Sequence, residues 1–210
     1  SAITVAVHDG EQVLATRTTV DARRHTELLA PMIVDALAAA GTDVTEVTHV
    51  AVGTGPGPFT GLRVGLVTAQ TFAHARGITV HGVCSLDALA AAAAAHGHEG
   101  ELLVATDARR KEVYWARYAG GERVAGPDVC KPADLASPAV DVISVPEALA
   151  GQLPIDAPSV TYQPPTPAGL VAAADLDADP EPLVPLYLRR PDAVPPKKQQ
   201  LSAAIPEVRL

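Results

Sequence analysis

Between residues 53 and 61 the chain reads Gly-Thr-Gly-Pro-Gly-Pro-Phe-Thr-Gly, and this segment limits the possible folds more than any other. Four glycines and two prolines in nine residues exclude a helix or strand running straight through it. Proline removes a backbone donor, and glycine has the most conformational freedom to lose. Residues 47–52, just before it, form a short apolar run of the kind that builds a buried strand. Residues 61–76, just after it, carry a helical pattern closed by Gly77. A strand, a tight turn and a helix in that order predict an α/β architecture.

The alternation extends in both directions. Residues 3–7 and 13–20 read as the strands of a hairpin turning at His8, Asp9, Gly10 and Glu11. Leu28, Leu29, Met32, Ile33, Ala36, Leu37 and Ala40 recur at helical spacing, with Thr26 expected as N-cap and Gly41 as terminator. Pro31 is expected to bend the entry of that helix. Residues 78–83 predict a strand and residues 85–95 a helix capped by Ser85, giving the order β, β, α, β, α, β, α. The pattern then restarts. Strands at 102–106 and 112–118 flank a tight turn at Ala108, Arg109 and Arg110, and 122–129 adds a third. Prolines interrupt the remainder, leaving a strand expected at 141–145 and a helix at 167–174. The expected organisation is an N-terminal lobe over residues 1–100, a smaller C-terminal lobe over 101–190, and a tail over 191–210 that is draped on the surface or disordered.

Several function classes recede on composition. Hydrophobic residues are 48% of the 210 but aromatics only 3%, so the core must be built from Ala, Val, Leu and Ile. No apolar run approaches the roughly 18 residues of a membrane span, and no secretory signal pattern opens the sequence. Cys84 and Cys130 belong to no ligand cluster, which fits a reducing cytoplasm. A net charge of -8 opposes autonomous nucleic-acid binding, which depends on Lys and Arg neutralising phosphates. Any RNA is therefore expected to be held by a partner.

The glycine-rich loop fails two phosphate-binding patterns. Gly61 is followed by Leu62 and Arg63 instead of Lys and Ser or Thr, and Pro58 or Thr60 stands where a dinucleotide fingerprint needs its third glycine. A phosphate site and a structural turn both remain open, with Pro56 and Pro58 favouring the turn. Gly61, Gly65, Ala69 and Ala73 form a stripe of small residues, suited to a close helix contact within the chain or with another chain. The seven histidines show no convergent ligand spacing; His96 and His98 read as a solvated helix end. Ser85 with Asp87 reads as an N-cap and a first-turn acid before it reads as a nucleophile pair, and Asp107 as a turn-former.

Residues 50–90, VAVGTGPGPFTGLRVGLVTAQTFAHARGITVHGVCSLDALA, resemble the TsaB (YeaZ-like) family, whose members carry GPGSFTGLR and then GVSSL. The likeness extends to HTELLAP, to TDARRKEVYWARY and to PLYLRRPDA, in register over about three quarters of the chain. It implies the two-lobed actin-like ATPase and sugar-kinase (ASKHA) fold. It further implies a non-catalytic subunit that docks onto the paralogue TsaD, with the ATPase TsaE, for threonylcarbamoylation of the adenosine 3′ of the tRNA anticodon. Catalytic relatives hold metal with an HxxxH pair where this chain has Ser85 and Leu89, so neither a metal nor a catalytic residue is expected. No cofactor is expected, save a nucleotide at the heteromeric interface. The expected docking element is the helix pair 27–40 and 61–76, with Leu29, Met32, Ile33, Ala36, Gly61, Arg63, Gly65, Leu66, Ala69 and Gln70 at the contact; it could also close a homodimer. An ATP-hydrolysing enzyme of the same fold or a glycoprotease-like peptidase is the alternative. Two departures stand out: a strand resembling LAIDTST before the first hairpin is absent, which would leave the N-terminal sheet without its central strand, and residues 139–165 lack the family's Gly-Asp element.

Overall fold

A computed structural model describes residues 2–21, 24–98 and 100–189. The expectations for the tail beyond Arg189 lie outside the described residues.

The N-terminal hairpin forms as its alternation predicts. β1 (Ala2–His8) and β2 (Val13–Val20) pair antiparallel, and Asp9 Oδ1 closes the turn by accepting from the amides of Glu11 at 2.9 Å and Gln12 at 2.8 Å. Next comes α1 (His25–Ala40), which continues through Pro31 without a break and stops at Gly41 in the left-handed conformation. Its start differs from expectation. Arg24 is the N-cap residue, with no side-chain cap bond, and Thr26 lies inside the first turn. The reason is upstream: Asp21 accepts from the Arg24 amide at 3.0 Å, and this contact sets the helix entry earlier.

β3 (His49–Gly55), α2 (Phe59–Arg76) and β4 (Thr79–Cys84) make the strand, turn, helix unit, with β3 and β4 parallel. α3 (Ser85–Ala95) follows directly. Cys84 occupies its N-cap position and Ser85 makes no cap bond, a second correction to the expected caps. Among the described residues, β1 and β3 have no strand partner on their second edges, so the N-terminal half holds two separate two-stranded sheets. α1 packs on β1 and β2, and α2 on β3 and β4, while α1 and α2 also touch each other.

The second half is built on one sheet of order β7-β6-β5-β8-β9, from β5 (Leu102–Asp107), β6 (Val113–Ala119), β7 (Glu122–Cys130), β8 (Val142–Ser144) and β9 (Ser159–Thr161). β5 is central and buried on both faces, as a strand flanked on both sides by packed layers must be. Leu102 and Val104 join Leu86, Leu89, Ala90 and Ala93 of α3, whereas Leu103 and Ala105 join Leu135, Ile143, Val145 and Leu153 behind the sheet. The short α4 (Glu147–Ala150) and β9 lie between prolines where no periodicity could announce them.

α5 (Pro167–Ala172) returns to the N-terminal half and packs on α3, β1 and β3. Thr166 caps it, accepting from the Gly169 amide at 3.0 Å. Gly169 allows the close approach, since a Cβ there would stand 2.5 Å from the Ala88 carbonyl oxygen. The last described residues then cross both halves: the Leu186 amide donates to Thr54 O at 2.8 Å, and Arg189 pairs with Glu112.

Candidate functional site

Two surfaces carry the functional features of the sequence. The first is an apolar groove of about 780 Å³ between α1 and α2, lined chiefly by Ile33, Val34, Leu37, Val67, Thr71 and Phe72. Each helix is apolar on more than one side. Met32 and Ala36 of α1, and Leu66, Ala69 and Ala73 of α2, are buried within the chain, while Val34 is 65% and Val67 63% exposed. Apolar residues left in water on two adjacent helices form the kind of patch that marks a docking surface.

The ten residues expected at the contact divide accordingly. Met32, Ala36, Leu66 and Ala69 are used inside the chain. Leu29, Gly61 and Gly65 line the second cavity, nearer the N-terminal ends of the two helices than the groove. A Cβ on Gly61 would stand 3.3 Å from His25 Nε2, which puts the small-residue stripe at an internal contact. Ile33 lines the groove, and Arg63 and Gln70 are exposed. Val34 and Val67 are not among the ten expected residues, because a residue one step from a helical stripe looks the same in sequence whether its face is covered or open.

The second surface is a cavity of about 1010 Å³ between the two halves. Its mouth holds a cluster unusual for so aromatic-poor a chain. Arg63 Nε donates to the Tyr187 hydroxyl at 2.7 Å, and its guanidinium lies 3.9 Å over the Phe59 ring, a cation–π distance. The Phe59 and Tyr187 rings are 5.1 Å apart. The same cavity is lined by Arg109 and Arg110 of the β5–β6 turn, in which Arg109, Arg110 and Lys111 take φ of 64°, 54° and 63° in succession. A non-glycine residue in this left-handed region costs about 1–2 kcal/mol. The turn is held by Asp107, which accepts from the Arg109 amide at 2.7 Å, and by Ala108 N donating to Glu112 O at 2.9 Å.

The glycine-rich loop borders this cavity, with Thr54, Gly55 and Pro56 buried. A Cβ on Gly55 would lie 3.1 Å from Leu62 and 3.4 Å from Leu186 O, so the segment leading to Arg189 sits directly on the loop. That packing supports the structural-turn reading. Asp87 points its carboxylate at Tyr118 Oη, 2.7 Å away, and at Arg123, 2.9 Å away, an arrangement that differs from a nucleophile pair with Ser85. Burial and the neighbouring Asp87 push the Tyr118 hydroxyl far above the usual tyrosine range, and burial raises the Cys84 thiol. Among the described residues no three His, Cys, Asp or Glu side chains converge to hold a metal ion, and no helix is long and apolar enough to cross a membrane.

The profile of the family described as "TsaD: tRNA N6-adenosine threonylcarbamoyltransferase" matches residues 12–203. An uncharacterized protein of Mycobacterium leprae is 52% identical over 197 residues, which are 91% of this chain and 52% of that one, so this chain spans about half of that relative's length. The Escherichia coli "tRNA threonylcarbamoyladenosine biosynthesis protein TsaB" is 41% identical over 96 residues, 46% of this chain and 42% of that protein. The structure of YeaZ from Pseudomonas aeruginosa superposes with a TM-score of 0.74 at 27% identity, covering 89% of this chain and 94% of that one. With the α/β fold, the GTGPGPFTGLR loop and these likenesses in agreement, the chain belongs to the TsaB/YeaZ family, whose named members are proteins of tRNA threonylcarbamoyladenosine biosynthesis.

Proposed function

We propose that this chain is a non-catalytic scaffold subunit, working in the cytoplasm, that docks through the α1–α2 groove onto a TsaD-type catalytic paralogue and so supports threonylcarbamoylation of the adenosine 3′ of the tRNA anticodon. The observation that carries the reading is the open apolar groove with Val34 and Val67 exposed at its walls. A partner helix laid between them would bury both side chains in the helix-in-groove mode. The same face could pair two copies of the chain when the paralogue is absent. TsaE is proposed to act on the assembled pair. No resident cofactor is proposed, and any nucleotide would be held jointly with the paralogue. Ser85 and Leu89, standing where the catalytic relatives carry a histidine pair, support the non-catalytic assignment, since neither side chain substitutes for imidazole on a metal.

The test is co-elution of the chain with the paralogue on size exclusion. Val34→Asp and Val67→Asp are expected to abolish the complex while the isolated chain keeps its melting temperature. Persistence of the complex in both variants would overturn the assignment of the face. Calorimetry with ATP on the isolated chain examines the rival enzyme reading; micromolar binding with turnover would favour it.

A further inference from the structure

We propose that the mouth of the cavity between the two halves is a recognition site for an unpaired RNA nucleotide, with Phe59 and Tyr187 as the stacking platform and Arg109 and Arg110 of the β5–β6 turn as the phosphate contact. The choice of RNA over a free nucleotide rests on the reading of the chain as part of a tRNA-modifying assembly. The recognition chemistry rests on the site alone.

Three observations converge there. The sequence has only seven aromatic residues, and four of them, Phe59, Tyr114, Tyr162 and Tyr187, line this one cavity. Phe59 is 48% and Tyr187 41% exposed, although a chain so poor in aromatics would gain most by burying them. Their rings are fixed by Arg63, which donates to Tyr187 and lies over Phe59, so the platform exists before any ligand arrives. Cations share the cavity. Arg109, Arg110 and Arg189 line the cavity, in a molecule whose net charge is -8. Finally, a hairpin from β5 to β6 does not require three successive non-glycine residues at positive φ, because Asn-Gly or Gly-containing turns make the same reversal without strain. Strain of this kind persists where surrounding structure enforces it, and ligand clamps are where it collects.

Exposed aromatic faces beside cations are the chemistry that takes up bases splayed from single-stranded RNA. Paired RNA offers phosphates but no free base face. Asp107 lies 3.4 Å from Arg109 and Glu112 pairs with Arg189, so part of the local positive charge is already compensated. This places most of the discrimination on stacking and predicts modest affinity for the chain alone.

The experiment is fluorescence anisotropy on the isolated, full chain at low salt. The probes are a fluorescein-labelled RNA hairpin with a seven-nucleotide loop, a fully paired duplex of the same length, and ATP as competitor. The hairpin is expected to bind at least tenfold tighter than the duplex. Phe59→Leu and Tyr187→Leu should each weaken it by about tenfold, the range of one lost base stack. Arg109→Ala with Arg110→Ala should flatten the plot of log affinity against log salt by about 0.7 for each phosphate contact removed. Since Tyr187→Leu also removes the Arg63 bond, Tyr187→Trp serves as a second variant and should retain tight binding through its ring. Equal affinity for duplex and hairpin, or indifference to both leucine variants, would overturn the proposal. Complete displacement by millimolar ATP would overturn the RNA assignment in favour of a free nucleotide. Because the isolated chain is measured, failure of docking to the paralogue leaves this readout intact, and failure here leaves the docking result intact.

Discussion

Tyr118 and Asp87 are 31 residues apart in sequence, and their side chains meet at 2.7 Å, with Arg123 closing the group. A tyrosine donating to a carboxylate in a half-buried setting contributes about 1.5 kcal/mol, so Tyr118→Phe should lower unfolding stability at neutral pH by that order. The pH dependence has a definite sign. Burial first, and then the Asp87 charge, raise the folded tyrosine above its unfolded value of about 10. A raised pKa means that the protonated form is favoured by folding. The contribution is therefore complete below about pH 10 and is lost as pH climbs above it. Denaturant unfolding followed from pH 7 to 11 should show the parent losing stability in that window more steeply than Tyr118→Phe, and parallel curves would remove Tyr118 as the cause. The sequence showed Asp87 only as a first-turn acid. Its partners on β6 and β7 come from 31 and 36 residues away, and no local pattern records a contact of that separation.

α1 and α2 were legible as helices because apolar residues recur every three to four positions, and both αL terminators, Gly41 and Gly77, were read correctly. Which side of each helix is covered was not legible. Met32 and Val34 are both apolar, yet one packs inward and the other faces water, a distinction made by where β1 and β2 lie. Met32→Ala should therefore cost about 2–5 kcal/mol by leaving a core cavity, whereas Val34→Asp should change stability by no more than about 0.5 kcal/mol. Thermal unfolding of the two variants separates them. The contact of α5 with α3 gives a sharper case. The helix was expected from Pro167, but the need for Gly169 arises only from the Ala88 carbonyl of the neighbouring helix. Gly169→Ala, which would favour an isolated helix by about 1 kcal/mol on propensity, is expected instead to destabilise the protein by about 1–3 kcal/mol through overpacking. A rise in melting temperature would show that the two helices can separate without loss.

Apart from α4 and β9, the order of elements in each half could be read from the sequence, but how the two halves are joined could not. Residues 186–189 make the join with three anchors: Leu186 to Thr54 of β3, Tyr187 to Arg63 of α2, and Arg189 to Glu112 just before β6. The segment has neither strand alternation nor helical period, because its contacts are made one residue at a time with side chains 124 and 77 positions away. It also covers the glycine-rich loop, so the feature that first suggests a phosphate cradle is part of the attachment between the halves. If the anchors act together, removing two of them should release the third. Arg63→Ala with Glu112→Ala should raise hydrogen exchange at the Leu186 amide by at least tenfold, while the amides of β5, inside the central sheet, exchange as before. Each single substitution should have a smaller effect than half of the combined one on a free-energy scale, the mark of groups that share a partner. Unchanged protection at Leu186 in the double variant would mean that the backbone bond to Thr54 holds the segment without help, and that the two halves are joined through α5 and α3 alone.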